Sequence, residues 1–385
     1  MTKVCSRCVM DTSDPLIGFD RAGVCSHCRN FDQNQRPGWH PGTLQGQRLL
    51  QQTVAKIKET QRHKEYDAII GLSGGVDSSF LARWASKEAG LRLLAVHVDA
   101  GWNSELAVQN IERIVRNLGI ELYTQVVDWE AMRDVQLAFF RAGVANQDTP
   151  QDHAFFAALY QFAAENDFTY VLHGSNLASE SILPSAWGHN PMDADQIRDI
   201  CRRFGAPALA RFPLASFYRY YVYYPFVRRM KVVRPLDWMD YSKERAIEVL
   251  EREFGWKYYG GKHYESRFTK FFQGYWLPQK FGYDKRKAHL SSLIVAGQMT
   301  RDEALACLAE PAYDLANLPQ DLDFVAKKLE ISSQELLDLL EQPNRHFTDY
   351  KNNVFKRNLY FKLTDLMFRV LYGYRSVRKA LRRKE

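Results

Sequence analysis

The stretch "IIGLSGGVDSSF", Ile69 to Phe80, runs from an apolar strand-length segment into two adjacent glycines flanked by serines, with Asp77 following. Gly74 and Gly75 lack a Cβ, so they can take positive φ and let backbone N–H groups approach a ligand closely. The loop opens a helix, and the first N–H groups of a helix are unsatisfied and favour an anion. Ser73, Ser78 and Ser79 add hydroxyl donors. These features predict a bound phosphate chain. A Walker loop needs a lysine after its glycines; Asp77 stands there instead, which implies a different nucleotide chemistry.

Outward from this loop the pattern alternates. "AIIGL" reads as a buried strand, "SSFLARWASKEAG" as a helix ending at Gly90, "LRLLAVHVDAGW" as a strand and "AVQNIERIVRNLGI" as an amphipathic helix. "ELYTQVV" is a third strand, "HAFFAALYQFAAEND" a helix, "FTYVLHG" a fourth strand and "MKVVRPL" a fifth, leading into "SKERAIEVLEREFG". Strands alternating with helices predict an α/β fold with a parallel sheet covered on both faces, and ligands sit beyond the carboxyl ends of such strands. Past Gly260 only helical patterns follow. The division expected is a cysteine module over 1–40, a linker over 41–62, the α/β domain over 63–260 and a helical region over 261–385.

Cys5, Cys8, Cys25 and Cys28 form two Cys-x-x-Cys pairs separated by turn-rich sequence. Each pair sets two thiolates on one small turn, and four together fill a tetrahedral Zn²⁺ site, which makes the zinc structural. An iron–sulfur site and reactive thiols are the alternatives. The chain has no apolar signal core and no run long enough to span a bilayer, so a cytoplasmic location is expected. Its net charge is +7, yet 351–385 alone sum to +9 and the remainder to −2. A basic tail suits nucleic acid, an anionic membrane surface or an acidic partner, and by itself selects none of them.

Several further residues have two readings. Asp99 ends the second strand on the ligand edge, or caps the next helix. Ser175, Asn176 and Glu180 follow the fourth strand and could face an acceptor or Mg²⁺; for Glu180 a solvated first-turn glutamate is the plainer reading. His153, read at the start of a helix, is catalytic or a capping and packing residue. "YDKRKAH" gathers Lys285, Arg286, Lys287 and His289, by charge alone a solvated turn. "FYRYYVYYPFVRRM" can stack a base or simply pack a core.

Ser-Gly-Gly-x-Asp-Ser at the first strand-to-helix turn resembles the PP-loop ATP pyrophosphatases, and "AVHVDAGW" and "VVRPLDWMDYSKERA" extend the likeness over about 60–260. The resemblance implies an adenine nucleotide alpha hydrolase-like domain that holds ATP, with Mg²⁺, on Ser73, Gly74, Gly75, Asp77, Ser78, Ser79 and Asp99. Asp77, Ser73 and Ser78 would carry the chemistry. The cysteine pairs, "IIGLSGGVDSS", "TPQDHAFFAALY", "VLHGSNLASESILPSAWG" and "YDKRKAHLSSLIVAGQMTRDEAL" together resemble the N-acetyl sugar amidotransferases of the WbpG and PseA type. That resemblance implies conversion of a sugar acetamido group to acetamidino in bacterial surface-polysaccharide synthesis, on a nucleotide sugar. His153, Ser175, Asn176, Glu180, Lys285, Arg286 and His289 are then candidates for substrate contacts. It also implies separate partners, a HisH-like glutaminase and a HisF-like barrel delivering ammonia, with the basic tail as one docking surface and no nucleic acid. The alternative is a PP-loop tRNA thiolation enzyme, which needs a reactive cysteine; after the loop there are only Cys201 and Cys307. A non-catalytic nucleotide sensor would leave the helical region without a purpose.

Overall fold

The computed structural model of the protein describes residues 2–261 and 264–372. Five parallel strands, β1 (Ala68–Gly71), β2 (Leu93–Asp99), β3 (Glu121–Val126), β4 (Tyr170–Leu172) and β5 (Lys231–Val233), form one sheet in the order β3-β2-β1-β4-β5. Side chains alternate across a strand, and the sequence uses both sides. Ile69, Leu94, Val96, Val98 and Val171 face the helices Trp129–Ala142, Thr149–Glu165 and Ala194–Phe204. Ala68, Ile70, Leu72, Leu93, Ala95 and Leu172 face Val76–Arg83, Glu105–Leu118 and Lys243–Phe254. Each large apolar side chain buried this way contributes about 1.5–3 kcal/mol. The order reverses at β1, so the loops after β1, β2 and β4 meet at the carboxyl edge where the glycine stretch lies.

Two helices escape the sequence pattern. Trp129–Ala142 is buried on most of its surface, including Asp134 and Gln136, and therefore shows no apolar stripe that periodicity could detect. Within 41–62, expected as a linker, the chain forms the helix Leu44–Gln61, capped by the Thr43 hydroxyl and carrying Ile57 into the core beneath the sheet. The helix Thr149–Glu165 also begins earlier than expected, which moves His153 into its second turn.

The helices beyond Gly260 are not a separate body. Phe268, Phe271, Phe272 and Trp276 belong to the same apolar core as the first face of the sheet, together with Val325, Leu329 and Leu336. The helix Lys285–Ala296 also serves the N-terminus: Ala288 and Val295 pack with the four cysteines, Met10, Phe31, Ile182 and Trp187 in one cluster. Val9 N–H donates to Ser291 Oγ (3.2 Å), Lys287 pairs with Asp11, and Arg301 donates to the carbonyls of Cys8 (3.2 Å) and Cys5 (3.3 Å). Among the described residues, no helix is long and apolar enough to cross a membrane. The last part of the basic tail, 373–385, lies outside the described residues.

Candidate functional site

The loop between β1 and the helix Val76–Arg83 adopts the form its composition demands. Gly74 sits at φ +81°, and a Cβ there would come within 2.6 Å of the Ala107 carbonyl oxygen, so both the backbone conformation and the space require glycine. Trp256 Nε1 donates to Gly74 O (3.1 Å) and fixes the loop from behind. Gly75 is the N-cap and supplies no side chain to the helix, leaving the first N–H groups to find other acceptors. Gly75 N–H donates to Ser73 Oγ (3.2 Å), Ser73 N–H to Ser78 Oγ (3.3 Å) and Val76 N–H to Tyr259 Oη (3.3 Å). The Ser73 and Ser78 hydroxyls lie 3.2 Å apart. Ser79 is fully buried and its hydroxyl has no hydrogen-bond partner.

Asp77 lies in the first turn of that helix, and Tyr241 Oη donates to its carboxylate. Burial raises the Tyr241 phenol well above its ordinary pKa and Asp77 raises it further; burial, then Glu265 and Asp77, do the same to Tyr259. Both phenols are therefore neutral donors. Glu265 and Tyr259 approach Gly75 from above: a Cβ on Gly75 would lie 3.2 Å from Glu265 Oε1 and from Tyr259 Oη. The backbone around Glu265 is stitched to the loop after β2, with Ser104 N–H donating to Glu265 O (2.8 Å) and Arg267 N–H to Trp102 O (3.0 Å). The loop after β4 closes the other flank, where a Cβ on Gly174 would lie 3.0 Å from Ser78 N.

The loop after β2 is held by two side chains. Asp99 Oδ1 accepts from Gly101 N–H (2.8 Å) and from the Asn103 amide (3.1 Å), so it shapes its own turn, while Ser104 caps the following helix. His97 contacts Leu72 O through Nδ1 (2.9 Å) and the Asn103 amide through Nε2 (3.0 Å). With N–H on Nδ1 and a lone pair on Nε2, both contacts are satisfied by the neutral ring, and burial lowers its pKa in the same sense. His97 thereby ties the second strand to the start of the glycine loop.

After β4, Asn176 is fully buried and caps the short helix Leu177–Glu180, its Oδ1 accepting from Ser179 N–H (3.0 Å) and Oγ (3.1 Å). Ser175 Oγ lies 2.6 Å from His173 Nδ1, and burial brings His173 down to about 4. Glu180 acts on both His173 and Tyr241, so it faces the same cleft as Asp77. The structure thus brings Ser73, Gly74, Gly75, Asp77, Ser78 and Glu180 to one edge, with Ser175 and Asn176 shaping the flank. His153 is elsewhere in role: it is fully buried, Nδ1 meets Pro191 O (2.8 Å), Nε2 accepts from Ala215 N–H (3.0 Å), and burial lowers it to about 4. That is the packing reading. Arg286 is held by Asp284 and by the carbonyls of Cys307 (3.3 Å) and Glu310 (2.7 Å), and Lys287 by Asp11; Lys285 and His289 are half-buried on the same helix. In "FYRYYVYYPFVRRM", Tyr221 and Tyr224 are buried, as core packing requires. Tyr241, Tyr259, Glu265, Trp256 and His97 join the site without being singled out by sequence reasoning; the run "WKYYGGKHYE" directly after a helix is the signal available.

The four cysteines form a second site. All are fully buried, and their sulfur atoms lie within 4.8 Å of one another, with Cys8 and Cys25 Sγ 3.7 Å apart. Ligands about 2.3 Å from a tetrahedral Zn²⁺ stand about 3.8 Å from each other, so the residues fit zinc. Backbone N–H groups of Arg7, Cys8 and Cys25 point at Cys5 Sγ (3.4, 3.4 and 3.2 Å), which favours thiolates.

Residues 49–210 match the family described as NAD synthase, and 265–364 match the family described as "LPS biosynthesis protein WbpG-like, C-terminal domain". The chain is 29% identical over 134 residues to one of the subunits of the glutamine-hydrolysing GMP synthase of Archaeoglobus fulgidus, covering 34% of this chain and 40% of that protein. It is 25% identical over 202 residues to the argininosuccinate synthase of Rhizobium meliloti, covering 49% of this chain and 39% of the relative. The chain thus spans about two fifths of the length of these relatives. The solved ammonia-dependent NAD synthetase of Campylobacter jejuni in complex with nitrate aligns with a TM-score of 0.32 and 14% identity over 78% of this chain and 98% of its own. A glycine loop set on a parallel sheet, a match to a synthase of that loop type and a WbpG-like domain behind it lead to one statement: the chain belongs to the WbpG-type PP-loop family.

Proposed function

We propose that the protein is an ATP-dependent C–N ligase that converts the acetamido group of a nucleotide-activated sugar to acetamidino, in lipopolysaccharide O-antigen synthesis. The observation that carries this reading is the pairing of the loop Ser73–Ser79, open at the carboxyl edge of β1, with a WbpG-like domain over 265–364 packed into the same core. The amide oxygen of the sugar attacks the α-phosphate of ATP, the bond to the β-phosphate breaks and pyrophosphate leaves, giving an O-adenylyl imidate. Ammonia then adds to the imidate carbon, AMP departs with the oxygen, and loss of a proton leaves the amidine. Adenylation is needed because amide resonance protects the carbon, and an AMP oxygen is a far better leaving group.

The backbone N–H groups of Gly75 and Val76 and the hydroxyls of Ser73 and Ser78 are the donors for pyrophosphate, whose charge grows as the bond breaks. Their present contacts at 3.2–3.3 Å are readily exchanged for phosphate oxygens. Asp77, an anion beside a triphosphate, suits a cation rather than the phosphate itself; Mg²⁺ bound with ATP would neutralise pyrophosphate oxygens. The cysteine site holds its zinc as a structural element. Ammonia comes from a separate glutaminase through a barrel subunit in this reading.

Against tRNA thiolation stands the state of the remaining cysteines: Cys201 is buried within the helix Ala194–Phe204, and burial with Asp134 nearby pushes its thiol up to about 12. The test is to incubate the protein with ATP, Mg²⁺, a diacetamido nucleotide sugar and ammonium. AMP should accumulate and the sugar should become one mass unit lighter, since oxygen is exchanged for NH. The double variant Cys201→Ser, Cys307→Ser should keep this activity. AMP release stimulated by tRNA and by no sugar, or a dead double variant that is folded and zinc-loaded, would replace this reading with thiolation.

A further inference from the structure

We propose that the helix Val354–Tyr372 and the basic run after it seat the protein on an anionic lipid surface. One side of this helix is fixed to the body. Asn353 N–H donates to the buried Asp193 (2.7 Å), Lys356 pairs with Asp195 (2.7 Å), and Tyr360 Oη donates to Tyr221 O (2.9 Å). The rings of Tyr360 and Phe361 pack on Tyr221, and Thr364 is buried. The other side is apolar and open: Phe355 is 79% exposed, Leu359 46%, Leu363 56%, Leu366 58% and Met367 42%. At about 100° per residue these five fall within an arc of roughly 120°, a continuous stripe rather than scattered surface residues.

Charge decides what covers the stripe. Lys356, Arg357 and Lys362 lie on the same helix, and the sequence of 373–385, outside the described residues, adds Arg375, Arg378, Lys379, Arg382, Arg383 and Lys384 against Glu385 alone. The rest of the chain before 351 sums to −2, so the positive charge is gathered where the apolar stripe is. A second copy is a poor occupant, because each would bring the same +9 to the contact and no acidic surface of comparable size. Nucleic acid is poorer still, since its phosphates need cations on the outward face, where this helix presents leucines, phenylalanine and methionine. A bilayer surface meets both halves of the pattern. An apolar stripe sinks about 5–10 Å to the headgroup boundary, and Lys/Arg beside it attract anionic lipid. The match to the WbpG-like domain ends at 364, so the end of the stripe and the basic run lie beyond the part of the chain compared there.

The experiment is co-sedimentation of the full chain with phosphatidylcholine vesicles, with and without phosphatidylglycerol. The protein should pellet with the anionic vesicles, far less with phosphatidylcholine alone, and less as salt rises. The variant Leu359→Gln, Leu363→Gln, Leu366→Gln should lower partitioning at least about ten-fold while its unfolding transition stays in place. Should that variant misfold, Arg378→Gln, Lys379→Gln, Arg382→Gln, Arg383→Gln carries the test, with at least about ten-fold weaker binding and loss of the salt dependence. The proposal is overturned if the native chain stays in the supernatant with phosphatidylglycerol vesicles, or if neither variant weakens binding. It is overturned too if light scattering shows a dimer that the leucine variant dissolves, which would assign the stripe to a second copy, or if the protein leaves the vesicles for added tRNA.

Discussion

The cysteine pocket and the glycine loop are built alike, from short turns whose backbone N–H groups converge on one point, yet they treat that point in opposite ways. Around the cysteines the inward groups have no alternative: the sulfur atoms are fully buried, N–H groups donate to them, and Trp187, Ile182 and Val295 close the outside. At the glycine loop the inward groups are lent to the protein's own hydroxyls, with Ser73, Ser78 and Tyr259 standing where an anion could stand. A resident ion is walled in; a ligand that must enter and leave is met by donors whose contacts are easily traded. Unsatisfied donors would be costly in the empty loop, and the serines and Tyr259 avoid that cost without sealing the site.

The sharpest attack on this contrast is Cys25→Ser. Apparent zinc binding in such sites supplies about 10–16 kcal/mol of folding free energy, so losing one ligand should cost on the order of 5 kcal/mol and leave a chain poor in zinc and poorly soluble. Metal analysis and denaturant unfolding check it; a stable Cys25→Ser protein that lacked only the chemical step would place the cysteines in the reaction. Asp77→Ala should do the reverse, lowering AMP formation about 10³-fold, some 4 kcal/mol of barrier, with zinc content and unfolding unchanged. Equal turnover would remove the loop from catalysis. Gly74→Ala tests the loop's shape: the positive φ and the contact with Ala107 should cost about 2 kcal/mol, read as a lower denaturant midpoint together with lost AMP formation. The smallest effect is expected of Tyr259→Phe, which frees the Val76 N–H. KM for ATP should fall about three- to five-fold, in line with about 1 kcal/mol for a neutral hydrogen bond. A rise in KM would mean that the Tyr259 hydroxyl itself holds the nucleotide.

What can be read in advance is what is local. The strand before Ser73, the two glycines and the helix after them announce themselves within a dozen residues, because turn, cap and anion seat are made from neighbours. The cysteine spacing is legible for the same reason. Tyr241, Tyr259 and Glu265 are not, since they come to the loop across more than 160 residues of sequence and their phenol and carboxylate groups have no signature of their own. His153 shows the converse failure. A histidine near a helix start suggests chemistry, whereas its two ring nitrogens meet backbone groups at Pro191 and Ala215 that only the folded chain brings within reach. β4 and β5 pair over three residues each, shorter than "FTYVLHG" and "MKVVRPL" suggest, because apolar residues in a buried loop look the same as those in a strand.

The wall of the cysteine pocket has a consequence for how the protein is made. Cys28 leaves the ribosome well ahead of its cover: the helix Lys285–Ala296 that closes the pocket follows roughly 260 residues later, an interval of about 13–50 s at ordinary rates of synthesis. During that time four thiols stand on a nascent chain without their outer cover, open to oxidation and to the wrong metal. The supply of zinc during translation should therefore govern the yield of native protein more than zinc added after purification does.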